Sequence, residues 1–176
     1  MKVILRAVIA LAFALSSLCS YAETPVLLSP LPEIDKFQEK ELTCLAKNIY
    51  YEAGSESFEG KVAVAMVTIN RQESGKFADT LCGVINQKTR ISPQVIICQF
   101  SWVCQGSRLK IAIGERWEEA MTVARMVFLD GYRIPKLEDA LYFHAAYVNP
   151  NWGKPKVAKI GNHIFYRDHK PKQVSF

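Results

Sequence analysis

The stretch "AKNIYYEAGSESFEGKVAVAMVTINR" at residues 46–71 decides the fold, because it contains the end of one helix and most of a second. Apolar residues recur at three- and four-residue steps through residues 36–53, which predicts an amphipathic helix there. Gly54 indicates the end of that helix. Ser57 is a typical N-cap for the next helix, which continues to about Arg71. That second helix is apolar almost all round, so we expect it to be buried at the centre of the domain.

The rest of the chain predicts further helices followed by strands. The segment "DTLCGVINQ" predicts a short helix capped by Asp79 or Thr80, and residues 115–129 predict a longer one. Residues 88–108 have no clear period and predict a long loop or a β-excursion. The aromatic and β-branched segments "DALYFHAAYV" and "AKIGNHIFYR" predict an antiparallel pair of strands. The sequence therefore predicts a mostly helical α+β domain with a small antiparallel sheet near its C-terminus.

Residues 1–22 have the layout of a secretory signal peptide. Two basic residues precede a short apolar run, and a small-residue pattern ends at Ala22. The apolar run is shorter than the roughly 20 residues that a spanning helix needs. We therefore expect cleavage after Ala22, export to the periplasm or cell wall, and no stable membrane insertion afterwards. Residues 23–35 are rich in proline and predict an extended tether to a folded domain at 36–176.

The composition and motifs argue against several function classes. Removal of Lys2 and Arg6 with the predicted signal peptide lowers the formal net charge from +5 to +3, which favours anionic surfaces but is far too small to predict nucleic-acid binding. His144 and His163 belong to no HExxH-type pattern, and no G-x-S-x-G motif supplies a nucleophilic serine. The sequence thus predicts neither a metal site nor a cofactor.

Four cysteines follow the predicted signal peptide. An even number of cysteines in an exported chain predicts two disulfides, and none of the four has the C-x-x-C spacing of common structural zinc sites. We expect Cys98 to pair with Cys104 in a small closed loop. We expect Cys44 to pair with Cys82, which would join two helical segments.

Glu52 is the first candidate for chemistry. It lies beside Tyr50 and Tyr51, where loss of water disfavours the charged carboxylate. A carboxylic acid that keeps its proton near neutral pH can act as a general acid. The alternative is a solvated glutamate at a helix end, and the spacing leaves both open. Glu56 and Glu59 are weaker candidates, because acids are common at a helix start for dipole reasons.

The segment "CQFSWVC" is a candidate binding loop. If it is exposed, Phe100 and Trp102 would stack on a sugar ring or a peptide, with Gln99 and Ser101 as polar neighbours. The alternative is that these aromatic side chains pack into the core under the loop, and the sequence leaves both open. Trp152 occurs in the turn-rich "NPNWG", where burial is harder to achieve.

Taken in order, these motifs resemble the SleB/CwlJ-type cell-wall hydrolases, the family that includes spore cortex-lytic enzymes. That family shows E-A-x-x-E, then E-G-x-x-A-V-A, then a closing N-R, which here are residues 52–56, 59–65 and 70–71. "FADTLCGVINQ" is similar to the next helix of the family, and "CQFSW" to its aromatic substrate loop. "ALYFHAAYVNPNW" and "KIGNHIFYR" are similar to its closing segment. The resemblance covers roughly residues 41–167.

The resemblance implies a lysozyme-like catalytic domain that acts on the glycan strands of peptidoglycan. It implies cleavage between N-acetylmuramic acid and N-acetylglucosamine, generally as a lytic transglycosylase, with Glu52 as the catalytic glutamate. Such a reaction needs one acid, because the C6 hydroxyl of the muramic acid is the nucleophile. The remaining expected roles are cleft lining by Phe100, Trp102, Tyr142 and Trp152, polar contacts from Gln99, Ser101, His144 and His163, and support from Glu56 and Glu59.

Three alternatives remain open at this point. The first is a hydrolytic muramidase, in which Glu56 or Glu59 helps to hold the attacking water. The second is a peptidoglycan-binding protein that keeps the fold without turnover. A zinc amidase is the third. The sequence names no regulatory partner.

Overall fold

The computed structural model describes residues 33–169, so the predicted signal peptide and most of the predicted tether lie outside the described residues. The elements in chain order are α1 (Lys36–Ala53), α2 (Phe58–Glu73), α3 (Leu81–Asn86), β1 (Lys88–Arg90), β2 (Ile96–Cys98), a 3-10 helix (Ser101–Arg108), α4 (Glu115–Phe128), a second 3-10 helix (Pro135–Leu137), β3 (Tyr142–Ala145), β4 (Lys156–Ile160) and β5 (His163–Tyr166). The fold is mostly helical α+β with small antiparallel sheets, as the sequence predicts. None of the helices in this described part has the length and apolar character needed to cross a membrane.

Local capping sets the ends of α1, which contains Glu52, and the start of α2, which follows it. Asp35 begins α1 with a capping box, in which its carboxylate accepts from the Gln38 backbone N–H and its own N–H donates to the Gln38 side chain. The helix ends at Ala53, and Gly54 caps it. The Ser57 hydroxyl accepts from the Gly60 N–H and begins α2, as predicted.

Helix α2 lies at the centre of the domain. Its residues 60–71 are all buried, which confirms the prediction from its apolar sequence. Leu45 and Ile49 of α1 pack into the same core from one side, and Ala124 and Val127 of α4 pack from another. Truncating a fully buried leucine such as Leu45 to alanine typically costs about 2–5 kcal/mol of unfolding free energy. The core therefore holds the C-terminal end of α1 firmly in place.

The C-terminal sheet has three strands rather than the predicted two. Its order is β3-β5-β4, and all pairs are antiparallel, with Tyr142 opposite Tyr166 in one pair. The segment "AKIGNHIFYR" was expected to be one strand, but it contains the end of β4, a tight turn and β5. Gly161 in that turn has a φ of 53°, a conformation that glycine adopts without strain. A two-residue turn at Gly161 and Asn162 therefore divides the predicted strand.

The structure contains both disulfides that the sequence favours. Cys44–Cys82 joins α1 to α3, and Cys98–Cys104 joins β2 to the 3-10 helix that follows it. The predicted loop at residues 88–108 is accordingly a β1–β2 hairpin followed by that 3-10 helix. This second disulfide fixes the ends of the segment that carries Gln99 and Trp102.

Candidate active site

Glu52 lies in the last turn of α1, at a point where two cavities meet. The larger cavity has a volume of about 630 Å³ and is bordered by the α1–α2 corner, α4 and the turn between β4 and β5. The smaller cavity, of about 310 Å³, lies against the segment that follows β2 and against β3. Glu52 lines both cavities, so its carboxyl can reach a ligand that extends from one into the other.

The surroundings of Glu52 favour its protonated form. Burial raises the pKa of the Glu52 carboxyl, and the nearby Arg71 guanidinium partly opposes that shift. The position at the negative end of the α1 dipole also disfavours a carboxylate, and the last turn of α1 carries no basic residue. The raised pKa has the direction expected from the sequence. It is the property that a general acid at neutral pH requires.

Arg71 is the cation next to Glu52, and sequence reasoning assigned it no role. It lies at the C-terminal end of α2 and is only 4% exposed. Its Nε donates to the Leu141 carbonyl at 2.7 Å. With its side-chain amide turned so that the oxygen faces the guanidinium, Gln99 accepts from Nη1 at 3.1 Å and from Nη2 at 3.2 Å. Gln99 thus holds the cation in place as well as lining the small cavity.

Aromatic rings surround the same guanidinium. Its carbon lies 5.2 Å from the ring centroids of both Phe77 and Phe100. Burial lowers the pKa of Arg71 to about 10, while Tyr142 and Glu52 act in the opposite direction. The role of Arg71 could have been suspected from the sequence, because a charged residue near the end of a helix that is predicted to be buried needs polar or charged partners.

The side chains of the candidate binding loop at residues 98–104 are only partly exposed. Phe100 is 3% exposed and packs against Phe143, as in the core-packing alternative, and it also lines the small cavity, as the cleft-lining expectation has it. Ser101 is exposed and lines the small cavity. Trp102 lines neither of the two Glu52 cavities. It lies at 4.7 Å from Tyr51 in a tilted stack, and its Nε1 donates to the Asn48 side chain at 3.0 Å.

Trp102 and Tyr51 extend the aromatic surface away from Glu52. A separate cavity of about 250 Å³ includes both rings, and Tyr51 also lines the large cavity. Phe143, on β3, likewise lines the small cavity. Sequence reasoning missed Tyr51 and Phe143 as lining residues, although each lies next to a residue that it did select.

Strand β3 and the loop that follows it supply one wall of the small cavity. Tyr142 and Trp152 both line it, and their ring centroids are 6.4 Å apart. Trp152 is 43% exposed, as expected for a turn. His144 lines neither Glu52 cavity. Its Nε2 lies 2.9 Å from the Tyr166 hydroxyl, and its ring packs against Trp152, so it supports this wall from behind.

Glu56 lies in the large cavity, and its carboxylate is already engaged. It accepts from the Asn162 backbone N–H and from the Asn162 side-chain amide, each at 3.0 Å. The Nδ1 atom of His163 lies 3.9 Å from a Glu56 oxygen, and both side chains are 9% exposed. Burial lowers the pKa of His163, while Glu56 opposes the shift. Glu56 therefore joins the α1–α2 corner to the β4–β5 turn.

Glu59 does not belong to the site. Its carboxylate pairs with Lys136 at 3.2 Å on the surface, both side chains are more than half exposed, and it lines neither cavity. The expectation that Glu59 supports the site is therefore wrong, because its carboxylate lies at a surface ion pair outside both cavities. Within residues 33–169, no group of three or more His, Cys, Asp or Glu side chains is arranged to hold a metal ion.

Comparisons with known proteins place these residues in a family context. The family model described as Cell Wall Hydrolase matches residues 55–166, a range that begins three residues after Glu52. The spore cortex-lytic enzyme of Bacillus subtilis (strain 168) is 30% identical over 137 residues, which is 73% of this chain and 38% of that protein. The corresponding enzyme of Oceanobacillus iheyensis is 31% identical over 73% of this chain and 42% of that protein. The chain thus spans less than half the length of these relatives.

Two solved structures are also similar. The catalytic domain of the Bacillus cereus SleB protein has 28% sequence identity and a TM-score of 0.55, over 76% of this chain and 94% of that one. The catalytic domain of the germination-specific lytic transglycosylase SleB from Bacillus anthracis gives the same identity and TM-score, over 77% of this chain and 100% of that one.

Proposed function

The chain belongs to the cell wall hydrolase family, and from this premise we propose that it is an exported enzyme that cleaves peptidoglycan between N-acetylmuramic acid and N-acetylglucosamine as a lytic transglycosylase. The observation that carries the proposal is the position of Glu52. It is a partly buried carboxyl with a raised pKa at the junction of two cavities. A structural neighbour described as a lytic transglycosylase supports the reaction type.

The two cavities suit a glycan strand that crosses Glu52. One sugar would occupy the small cavity, where Tyr142 and Trp152 offer aromatic faces for stacking. The next sugar would occupy the large cavity beside Tyr51. The scissile glycosidic oxygen would then lie at the Glu52 carboxyl, where both cavities end.

A single acid can complete the reaction. Glu52 donates its proton to the glycosidic oxygen as the bond from that oxygen to C1 of the muramic acid breaks. The C6 hydroxyl of the same muramic acid then attacks C1 and gives its proton to the Glu52 carboxylate. The products are a free 4-hydroxyl and a 1,6-anhydro end, and the enzyme returns to its starting protonation state. Because the nucleophile is part of the substrate, a high effective molarity replaces a second carboxylate and a bound water.

Arg71 would stabilise the carboxylate that exists between these two proton transfers. Its guanidinium is fixed by Leu141 and Gln99, so it is positioned before the charge on Glu52 develops. It opposes the effect of burial on the pKa of Glu52 without reversing it. Burial thus favours the protonated form of Glu52, and Arg71 reduces the free energy needed to deprotonate it.

The engagement of Glu56 favours transglycosylation over hydrolysis. A hydrolytic muramidase needs a second group that holds and activates water. Glu56 is the nearest acid in sequence, but both of its oxygens accept hydrogen bonds from Asn162. Mass spectrometry of the released muropeptides separates the two reactions, because an anhydro end is one water lighter than a reducing end.

The test of the acid is Glu52→Gln, which keeps the side-chain shape and removes the proton. We expect release of soluble muropeptides from purified sacculi to fall by about 10²- to 10⁴-fold, the usual contribution of a general acid–base group. Glu59→Gln is the matched control, because it makes the same change at a surface ion pair outside both cavities.

The outcomes separate the alternatives. Wild-type turnover by the Glu52→Gln variant would reject Glu52 as the acid. Binding of sacculi without release of muropeptides by the wild type would instead indicate a non-catalytic wall-binding protein. Loss of activity with a chelator would indicate a zinc amidase.

A further inference from the structure

We propose that Arg116 is a specificity-determining residue that recognises a carboxylate on the lactyl branch of the muramic acid next to the cleaved bond, either the free lactyl carboxylate or one in the stem peptide attached there. This inference rests on the proposed function, since it concerns the same cleft and the same polymer. It adds the basis on which the cleft would distinguish peptidoglycan from a glycan that contains only N-acetylglucosamine.

Arg116 is positioned in the cleft by contacts with the motif that contains Glu52. It lies in the first turn of α4 and lines the large cavity together with Glu52. Its side chain lies across Gly54, where an added Cβ would be 2.9 Å from the Arg116 Cδ atom. The same Cβ would overlap the Tyr50 carbonyl oxygen, so a larger residue at position 54 would disturb both the end of α1 and the arginine that packs there. Because Gly54 has no side chain, Arg116 can pack against position 54, which follows Glu52 by two residues.

A second contact fixes the guanidinium itself. Its carbon lies 5.8 Å from the centroid of the Tyr50 ring, within the range of a cation–π interaction. The Tyr50 hydroxyl accepts from the Ala112 backbone N–H at 3.2 Å, so the segment that leads into α4 holds the ring. An exposed arginine on a helix normally samples many rotamers, but here the aliphatic part of Arg116 packs against Gly54 and its guanidinium packs against Tyr50.

The cation is nevertheless available to a ligand. Among residues 33–169, Arg116 takes part in no ion pair within 4.0 Å, although Glu115 and Glu118 share its helical turn. Of the acids in the large cavity, Glu56 is engaged by Asn162, and burial raises the pKa of the Glu52 carboxyl, which disfavours its charged form. Within the described residues, the large cavity thus contains a positive charge that forms no ion pair.

The substrate chemistry supplies the matching charge. The sugar rings of peptidoglycan and their acetamido groups are neutral. Muramic acid alone carries a lactyl ether, which ends either in a free carboxylate or in a stem peptide with its own carboxylates. Guanidinium groups bind carboxylates in a two-pronged geometry that fixes orientation as well as affinity. Arg116 would therefore place the muramic acid, rather than the N-acetylglucosamine, in the large cavity.

The experiment measures binding in the Glu52→Gln background, where turnover does not interfere. The three ligands are intact sacculi, sacculi whose stem peptides have been removed by an amidase to leave free lactyl carboxylates, and a chitooligosaccharide without carboxylates. We expect added Arg116→Gln to weaken binding to one or both muramyl ligands by about tenfold, the scale of one charge-assisted hydrogen bond, and to leave chitooligosaccharide binding unchanged. Arg116→Lys should recover part of the loss, and Arg125→Gln on the same helix is the matched control.

The two muramyl ligands distinguish the source of the carboxylate. A loss confined to intact sacculi assigns the contact to a carboxylate of the stem peptide, a loss confined to stripped sacculi assigns it to the free lactyl carboxylate, and a loss with both shows that Arg116 accepts either. In the active enzyme, Arg116→Gln should raise KM on sacculi with kcat nearly unchanged. Equal weakening for all three ligands, or no weakening for any, would overturn the inference. The activity of Glu52→Gln tests the proposed acid, whereas the ligand-dependent change caused by Arg116→Gln, in binding and in the KM of the active enzyme, tests this inference, so the two failures give different readouts.

Discussion

We expect the Cys44–Cys82 disulfide to matter more for stability and the Cys98–Cys104 disulfide to matter more for activity. Cys44–Cys82 closes a long loop with a sequence separation of 38, and Cys98–Cys104 closes a short one with a separation of 6. In the chain-entropy treatment, a crosslink stabilises the folded state by restricting the unfolded chain, and the effect grows with loop length. That treatment gives about 4 kcal/mol for the 38-residue separation and about 2 kcal/mol for the separation of 6.

Each pair has one buried cysteine, since Cys82 is 9% exposed and Cys98 is 8% exposed. Of their partners, Cys44 is half-buried and Cys104 is exposed, so the packing defect left by alanine adds to the larger loss expected for the long loop. We expect Cys44→Ala with Cys82→Ala to lose about 2 kcal/mol more unfolding free energy than Cys98→Ala with Cys104→Ala. Urea titration of both double variants, followed by circular dichroism, measures this difference directly.

Activity should respond in the reverse order. The short disulfide brackets the segment that carries Gln99 and Ser101 into the small cavity, while the long one joins helices outside that cavity. At a temperature where both variants are folded, loss of Cys98–Cys104 should reduce muropeptide release by about tenfold or more, since small displacements of a binding group are costly. The other double variant should stay near wild type. A larger stability loss for the short loop, or equal activity losses, would refute this reasoning.

Two further predictions concern the charges around Glu52. Replacing Arg71 with Met removes the cation that lowers the pKa of Glu52, so the high-pH limb of a pH–rate profile, where Glu52 loses its proton, should move to higher pH, while Arg71→Lys should stay closer to wild type. An unmoved limb would contradict this. Glu56→Gln should lower the unfolding free energy by about 1–3 kcal/mol in urea titration, because the charged partner of Asn162 is lost. Glu59→Gln should cost under about 1 kcal/mol, and equal losses would show that Glu56 does not join the two elements.

The sequence predicted the helices well because local signals and burial agreed. The capping residue Ser57, the stop at Gly54 and the apolar run of α2 all point to the same boundaries, and the structure has them. The disulfide pairs were also predictable, because the small loop and the joining of two helices each follow from spacing. The helix boundaries and the short disulfide are features that a few neighbouring residues determine.

The parts that could not be predicted depend on contacts between distant segments. Nothing local indicates that Phe100 packs beneath its loop while Trp102 turns toward Tyr51. The role of Arg71 requires Leu141 and Gln99, which come from other parts of the chain. Period-2 patterns likewise do not show where a strand ends when glycine allows a tight turn inside it.

The position of Glu52 at a helix end gives its chemistry a physical basis that spacing alone cannot provide. A carboxylate in the last turn of α1 faces the negative end of the helix dipole, and burial adds to that penalty. A basic residue in the same turn would relieve the penalty permanently and leave an ordinary ion pair. Here the compensating cation, Arg71, comes from the end of a different helix and is itself held by a carbonyl and an amide. Because those neutral partners do not cancel its charge, Arg71 can stabilise the Glu52 anion when it forms, while burial raises the pKa of the resting carboxyl.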